Sequence, residues 1–174
     1  ALVISHGQNR GYEAALGTGI EAAIDLGFSF AVTFDADGQH SCDDAIAFAE
    51  EIQKCDEEII FGSRFIDNKS NIPLIKKIVL SIVVMFTNRL SKINLTDAHN
   101  GFKAIKKTCL EKLDIDIDGF GFESQIIHQV SLKGILYKEM PTHTKYTNYS
   151  RNKGQKLING LIILEDLFKS RSKK

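Results

Sequence analysis

An apolar run that ends abruptly in two aspartates constrains the fold more than any other stretch of this sequence. Residues 30–34 are apolar, aromatic or β-branched, which is typical of a buried strand. Asp35, Asp37 and Gly38 follow directly. Open α/β sheets place their ligand sites at the carboxyl ends of such strands. Two carboxylates one residue apart can turn toward one hard cation, and the glycine lets the backbone bend sharply behind them.

The elements around this junction alternate between helix and strand. A helical period over residues 12–26 predicts a helix that a glycine ends, and residues 45–52 predict a second helix capped by Ser41. Residues 58–61 predict another short strand, and residues 1–5 predict a buried strand at the start of the chain. Strands that are each followed by a polar loop, with helices between them, indicate an α/β fold with a mostly parallel sheet.

The second half of the chain continues this mixed pattern. Residues 74–90 predict a strongly apolar helix that suits either the core or a membrane interface, and we favour the core. Residues 102–105 and 135–140 predict strands, with a helix over residues 122–133 between them. A last helix is predicted from about residue 154.

Length and composition fit one globular domain over residues 1–174, with an amphipathic helix and basic tail over about 153–174. A chain of 174 residues, 43% of them hydrophobic, can bury one sizeable core but not two. Basic and acidic side chains balance at 22 each, so no overall field indicates a nucleic-acid partner. The three cysteines lack metal-ligand spacing, which favours reduced thiols inside the cell.

The order of the polar loops resembles one enzyme family. Asp-x-Asp-Gly-Gln-His follows one strand, Gly-Ser-Arg follows the next, and Thr-Asp-x-x-Asn-Gly-Phe-Lys occupies residues 96–103. This order resembles the family-2 glycosyltransferases with a GT-A fold, and within them the polyprenyl-phosphate group that includes dolichyl-phosphate mannose synthase. Residues 9–15 resemble the family's glycine-bearing loop, and residues 149–155 resemble its C-terminal flanking motif.

The resemblance implies a divalent-metal site and a donor site. In the family the aspartate pair meets Mg²⁺ or Mn²⁺ on the diphosphate of a nucleotide-sugar, which implies the same for Asp35 and Asp37, with Gln39 as a further oxygen ligand. The metal neutralises charge that develops on the leaving diphosphate. The donor-binding residues implied in this way are Asn9, Arg10, Gly11, Asp35, Asp37 and Arg151.

The resemblance also implies an acceptor site and a catalytic carboxylate. Arg64 follows a strand end, where a guanidinium can hold a phosphate through two parallel donors, and the family uses this arginine for the lipid acceptor. Lys103 and Glu123 are predicted on the same acceptor side. Asp97 is implied as the base of an inverting transfer. If the acceptor is already a phosphate anion, little proton removal is needed and Asp97 would mainly orient other groups.

Two other functions stay open at this level. A haloacid-dehalogenase-like phosphatase also places Asp-x-Asp-Gly at a strand end, with the first aspartate as nucleophile, but Gln39 stands where that class has threonine. The Pro-x-x-Asn-Glu segment and the Asp-Asp-Gly-Ser loop that hold the nucleotide base and ribose in the glycosyltransferases do not occur. The chain is therefore predicted to be an incomplete catalytic domain, or a non-catalytic interaction module.

The expected partners follow from the resemblance and from the basic C-terminal end. They are a nucleotide-sugar donor and an acceptor that is a polyprenyl phosphate or a growing cell-envelope glycan, with no nucleic acid. The helix over residues 74–90 and the basic end predict a peripheral contact with an anionic membrane surface. This places the expected protein in the cytoplasm, at the cytoplasmic face of a membrane.

Overall fold

The computed structural model describes residues 2–35, 38–67, 72, 74–114 and 121–143, with the side chains of residues 75 and 76 excepted. These ranges contain helices and strands in the mixed order that the sequence predicts. The helices are α1 (Tyr12–Asp25), α2 (Cys42–Lys54), α3 (Leu74–Ser91), the one-turn α4 (Lys107–Leu110) and α5 (Phe122–Leu132). The strands are β1 (Phe30–Thr33), β2 (Ile59–Ser63), β3 (Lys103–Lys106) and β4 (Tyr137–Pro141).

These strands form one sheet in the spatial order β1-β3-β2-β4. β3 pairs antiparallel with both β1 and β2, whereas β4 pairs parallel with β2. β1, β2 and β4 therefore run in one direction, which confirms the predicted α/β class with a mostly parallel strand direction. The insertion of β3 between β1 and β2 was not predicted. Because Lys103 pairs with both Thr33 and Phe61, the loop that precedes β3 lies at the carboxyl ends of both neighbours.

The central strands of the sheet are the buried ones: β2 is buried along its whole length and β3 at three of its four residues, whereas β1 and β4 are half-buried. Alternate residues of a strand point to opposite faces. Ile59 and Phe61 accordingly join a cluster with residues of α1, α3 and α5, whereas Ile60 joins Phe48 and Ile52 of α2. The sheet is thus covered by helices on both sides, and the polar ends of its strands are where a ligand site can form.

Gly62 allows the end of β2 to approach its neighbours closely. A Cβ atom at this position would lie 2.7 Å from Cγ2 of Thr142 and 2.9 Å from the carbonyl oxygen of Phe102. Real Cβ atoms essentially never come so close to another heavy atom, so only glycine fits here. The close packing brings the loop after β2 against the loop that precedes β3.

Two predictions about secondary structure need correction or qualification. The buried strand expected over residues 1–5 is wrong for residues 2–5, which are irregular, with Leu2 69% and Val3 82% exposed. A strand needs a hydrogen-bonded neighbour, and none of the described strands pairs with this segment. The helix expected from about residue 154 and the tail over 153–174 lie outside the described residues.

Helix α3 belongs to the core along one face only. Val83, Val84 and Thr87 are buried. The opposite face carries apolar side chains that are 38% to 73% exposed: Leu74, Ile78, Ile82, Met85 and Phe86. Across the described part of the chain, no helix combines the length and apolarity needed to cross a membrane.

Candidate functional site

Three polar loops meet at the carboxyl ends of β1 and β2. Asp35 follows β1, Arg64 follows β2, and residues 96–102 precede β3 between them. The hydroxyl of Thr33 donates a hydrogen bond to the carbonyl of Gly101 at 2.9 Å, which fastens the loop before β3 to the end of β1. This is the edge at which α/β sheets bind ligands, and it brings most of the described candidate residues together.

Arg64 and Asp97 form a bidentate ion pair within this edge. Nε of Arg64 donates to Oδ2 of Asp97 at 2.6 Å, and Nη2 donates to Oδ1 at 2.8 Å. The backbone N–H of Arg64 also donates to Oδ2 at 3.2 Å. The side chain of Asp97 has no exposed surface, and that of Arg64 is 12% exposed. The predicted phosphate-binding arginine is therefore held in one orientation by the predicted catalytic carboxylate.

Lys103 and Glu123 form a second ion pair, in which the lysine side chain is more deeply buried than the glutamate side chain. The ammonium of Lys103 donates to Glu123 and, at 2.7 Å, to the carbonyl oxygen of Asn100. The lysine side chain is 2% exposed, whereas that of Glu123 is 18% exposed. Both residues lie close to the loop before β3. Acceptor binding by either residue stays a prediction.

Asp35 lies beside Tyr12, the first residue of α1. A Cβ atom at Gly101 would lie 3.0 Å from the Tyr12 hydroxyl and 3.7 Å and 3.9 Å from the two carboxylate oxygens of Asp35, so both side chains approach the same backbone position. The Tyr12 hydroxyl also donates to Glu123 at 3.4 Å. Burial, and then the carboxylates of Glu123 and Asp35, raise the pKa of Tyr12. The phenol is therefore a hydrogen-bond donor in a locally negative region.

The Asp35 carboxylate is open to ligands on its other side. Its side chain is 47% exposed, and Nε2 of His40 lies 3.9 Å from Oδ2. The His40 ring packs on Phe102 at a centroid distance of 5.2 Å, which gives it a structural role as well. Gln39 is partly buried in the turn after Gly38. Within the residues that the structure describes, no group of three histidine, cysteine or acidic side chains could hold a metal.

Two of the predicted site residues, Asp37 and Arg151, lie outside the described residues. The predicted donor residues of the glycine-bearing loop line a cavity of about 390 Å³ in front of α1, together with His6, Thr18 and Gly19. Asn9 accepts a hydrogen bond from the backbone N–H of Gly11 at 2.9 Å, and Gly11 has a φ of 92°, which favours glycine. Arg10 lines the same cavity.

Tyr12, Glu13 and Glu139 shape the site although they are not among the residues that the sequence predicts for it. Glu13 accepts hydrogen bonds from the backbone N–H groups of Gly121 and Phe122, at 2.8 Å and 3.1 Å, and so caps α5 from a distant helix. Glu139 on β4 binds the loop that carries Asp97. Tyr12 stands next to Gly11 in the predicted glycine-bearing loop, which could have marked it as a site residue. The residues that Tyr12, Glu13 and Glu139 contact are distant from them in sequence.

His99 is partly buried next to the Arg64–Asp97 pair. Its Nε2 lies 3.5 Å from the hydroxyl of Thr87 on α3. Burial lowers the pKa of His99 to about 4, although the Asp97 carboxylate opposes this shift. The imidazole is therefore neutral at physiological pH and adds no charge beside the ion pair.

His143 joins three parts of the chain near the site. Its Nδ1 lies 2.8 Å from Asp44 at the start of α2, and its Nε2 lies 2.8 Å from Asp67 in the loop after Arg64. The backbone N–H of His143 donates to Asp44 at 2.7 Å. The hydrogen bond with Asp44, which has the larger effect, and the hydrogen bond with Asp67 raise the pKa of His143. The Asp44–His143–Asp67 cluster thus ties the Arg64 loop to the segment after β4.

The stabilising effect of His143 should depend on pH. A raised native pKa means that the contribution is fully present below the unfolded pKa of about 6.5 and is lost as the pH rises through the native value. We expect the melting-temperature difference between the wild type and His143→Gln to be largest near pH 6 and to shrink toward pH 9. Thermal unfolding followed by circular dichroism measures it. The exposed His128→Gln is the control, and a difference that grows with pH would contradict the assignment.

A family model for Glycosyl transferase family 2 matches residues 1–114, which include both aspartates, Arg64, Asp97 and Lys103. The chain belongs to glycosyl transferase family 2. A UDP-N-acetylglucosamine–dolichyl-phosphate N-acetylglucosaminyltransferase of Methanococcus voltae is 33% identical over 166 residues, which are 93% of this chain and 66% of that protein. An uncharacterized protein of Methanocaldococcus jannaschii is 32% identical over 167 residues, or 94% of this chain and 69% of its own length.

A more distant relative extends the comparison to bacteria. The polyprenol monophosphomannose synthase of Mycolicibacterium smegmatis is 24% identical over 173 residues, which are 94% of this chain and 63% of that protein. The glycosyltransferase chain thus spans about two thirds of the length of the relatives that it matches. These relatives confirm the predicted resemblance to enzymes of the polyprenyl-phosphate type. The family match also excludes the alternative of a haloacid-dehalogenase-like phosphatase, because the two strand-end aspartates lie within the segment that matches the glycosyltransferase family.

Proposed function

We propose that this chain carries the catalytic site for metal-dependent, inverting transfer of a sugar from a nucleoside-diphosphate sugar to a polyprenyl phosphate. The observation that carries the proposal is the Arg64–Asp97 ion pair at the carboxyl end of β2. One relative is named a dolichyl-phosphate N-acetylglucosaminyltransferase and another a polyprenol monophosphomannose synthase, which supports a lipid phosphate as acceptor. A growing cell-envelope glycan is the second candidate acceptor from the sequence, and a guanidinium at the site favours the phosphate.

The acceptor phosphate binds Arg64 in this proposal. Asp97 holds the guanidinium in place before the ligand arrives, so little side-chain entropy is lost on binding. An acceptor phosphate is already an anion, and its oxygen attacks the anomeric carbon as the nucleoside diphosphate leaves. That chemistry needs little proton removal, which favours the orienting role of Asp97 over the predicted role as a base. Both oxygens of Asp97 already accept N–H donors from Arg64, which agrees with this choice.

The donor diphosphate lies at the end of β1 in this proposal. The half-exposed Asp35 carboxylate and the amide of Gln39 are oxygen donors of the kind that Mg²⁺ and Mn²⁺ prefer, and Asp37 is the third proposed ligand. A bound metal would neutralise the diphosphate as it leaves. Asn9, Arg10, Gly11 and Arg151 are the proposed residues for the rest of the donor.

A membrane face is the proposed location of the acceptor, because polyprenyl chains reside in the bilayer. The exposed apolar face of α3 is accompanied by the exposed basic residues Lys77, Arg89 and Lys92. Apolar side chains next to cations on one helix and at its end suit a peripheral contact with an anionic lipid surface. We propose this contact on the cytoplasmic side, where nucleotide-sugars are made.

Binding of a nucleoside diphosphate tests the donor half of the proposal. With Mn²⁺ present, Asp35→Asn should weaken the binding of UDP or GDP by more than about tenfold, because a charged metal ligand is lost. Titration calorimetry with Mn²⁺ and with EDTA measures the effect. Asp25→Asn, at the end of α1, is the control and should bind as the wild type does. Equal affinity in Mn²⁺ and EDTA for the wild type would exclude a metal site.

Sugar transfer itself tests the whole proposal. The chain is incubated with Mn²⁺, a panel of radiolabelled nucleotide-sugars and a short polyprenyl phosphate in detergent. We expect a lipid-phosphate-linked sugar at low yield, because the segments that hold the nucleotide base in the family do not occur in this sequence. No product should form when the matching polyprenol without phosphate replaces the polyprenyl phosphate. Product from the polyprenol alone would contradict the role of the phosphate, and no product with any donor would favour a non-catalytic module.

A further inference from the structure

A carboxylate on β4 supports the loop that carries Asp97. Glu139 accepts hydrogen bonds from the backbone N–H of Thr96 at 2.9 Å and from that of Asp97 at 3.2 Å. It also accepts one from the Thr96 hydroxyl at 3.0 Å. Three donors therefore converge on one side chain, and only a group with several acceptor lone pairs satisfies them all.

The backbone that carries Glu139 is itself firmly placed. β4 pairs parallel with the buried β2, and Glu139 stands opposite Phe61 in that ladder. Burial raises the pKa of the Glu139 carboxyl, whereas its hydrogen bonds from Thr96 and Asp97 act in the opposite direction. The hydrogen bonds from Thr96 and Asp97 therefore offset part of the cost of desolvating this carboxylate.

Thr96 also contacts the loop that carries Arg64. The hydroxyls of Thr96 and Ser63 lie 2.6 Å apart, and Ser63 Oγ accepts a hydrogen bond from the backbone N–H of Phe65 at 3.2 Å. Ser63 and Phe65 flank Arg64 in the chain. The contacts from Glu139 thus extend directly to the backbone of Asp97 and through Thr96 to the residues on both sides of Arg64.

We propose that Glu139 is a positioning residue for the acceptor half of the site, holding the Arg64–Asp97 pair in the geometry that receives the acceptor phosphate. This inference rests on the proposed function. Glu139 acts through the loop in this proposal, because its hydrogen bonds are to Thr96 and Asp97. Its loss should therefore weaken use of the acceptor and leave use of the donor almost unchanged.

Glu139→Gln tests this role with little change in shape. The amide offers one acceptor oxygen and turns an NH₂ group toward the donors of the loop. We expect the KM for the polyprenyl phosphate to rise about tenfold to a hundredfold, as for a small misplacement of a binding group, while the KM for the nucleotide-sugar stays within about twofold. Glu58→Gln is the matched control, because Glu58 is a partly buried carboxylate paired with Lys112 at the opposite end of β2.

Amide hydrogen exchange gives a readout that does not depend on catalysis. Glu139→Gln should speed exchange in residues 95–98 relative to both the wild type and Glu58→Gln, and Thr96→Val should show a smaller effect of the same kind. Thr96→Val also serves if Glu139→Gln does not fold. Unchanged exchange in these residues, or equal rises in both KM values, would overturn the proposal.

The two proposals fail in different ways. Titration of the wild type with farnesyl phosphate, a short isoprenyl phosphate, tests the acceptor site alone. If the wild type does not bind it, the proposed function fails and hydrogen exchange alone decides the positioning role. If the wild type binds it and Glu139→Gln binds equally well, the acceptor site stands and the positioning role is overturned.

Discussion

Asp97→Asn should lower kcat/KM for the polyprenyl phosphate by roughly 10- to 10²-fold, about as much as the loss of the Arg64 contacts, while donor binding persists. The Asp97 side chain has no exposed surface, and its two oxygens accept the Nε and Nη2 donors of Arg64. Asparagine keeps one acceptor oxygen but turns an NH₂ group toward the guanidinium. Arg64 then loses its orientation, and a bound phosphate loses its preformed partner. Steady-state kinetics with each substrate varied in turn measure the effect.

A double-variant cycle separates the orienting role of Asp97 from that of a base. Arg64→Ala should weaken acceptor binding by about 1.5 to 3 kcal/mol through the lost charge-assisted contacts. If Asp97 acts only through Arg64, adding Asp97→Asn to Arg64→Ala should cause little further loss, because both variants remove one unit. Losses that add in full would indicate an independent proton-accepting role. Near-normal turnover of Asp97→Asn would exclude both roles.

Glu123→Gln should lower the free energy of unfolding by about 3–5 kcal/mol, the usual cost of leaving one partner of a buried ion pair without its counter-charge. The Lys103 side chain is 2% exposed and donates to Glu123 and to the carbonyl of Asn100. Removing the carboxylate charge leaves the buried Lys103 ammonium without this counter-charge. Such a loss is a large fraction of the stability of a small domain. Urea unfolding followed by circular dichroism measures it.

An exposed pair and a double variant provide the controls for this prediction. Glu111 pairs with Lys107 across one helical turn, with side chains 57% and 37% exposed, so Glu111→Gln should cost less than about 1 kcal/mol. The double variant Lys103→Met with Glu123→Leu should regain most of the loss, because apolar residues replace both charges. A cost for Glu123→Gln no greater than that of Glu111→Gln would contradict the burial of the pair.

Local patterns in the sequence determined most of the secondary structure and the edge of the sheet at which the candidate site lies. The apolar runs at residues 30–34 and 58–61 contain or overlap β1 and β2, and Ser41 caps α2 through the backbone N–H of Asp43 as predicted. Such features depend on neighbours within a few residues, so periodicity and capping rules capture them. The motif order also identified the family, because each motif follows a strand end.

Only the tertiary structure decided which of these residues meet. The pairing of β3 with both β1 and β2 brings residues 96–102 to the site, and the contacts of Asp97 with Arg64 and of its loop with Glu139 span 33 and 42 residues. Periodicity shows that a face is buried but not what covers it, so the apolar residues 1–5 predict a strand that the structure does not have over residues 2–5. Nothing in the sequence predicts the ion pair of Lys103 with Glu123. The partner of a charged side chain depends on strand order and register, which are properties of the folded chain as a whole.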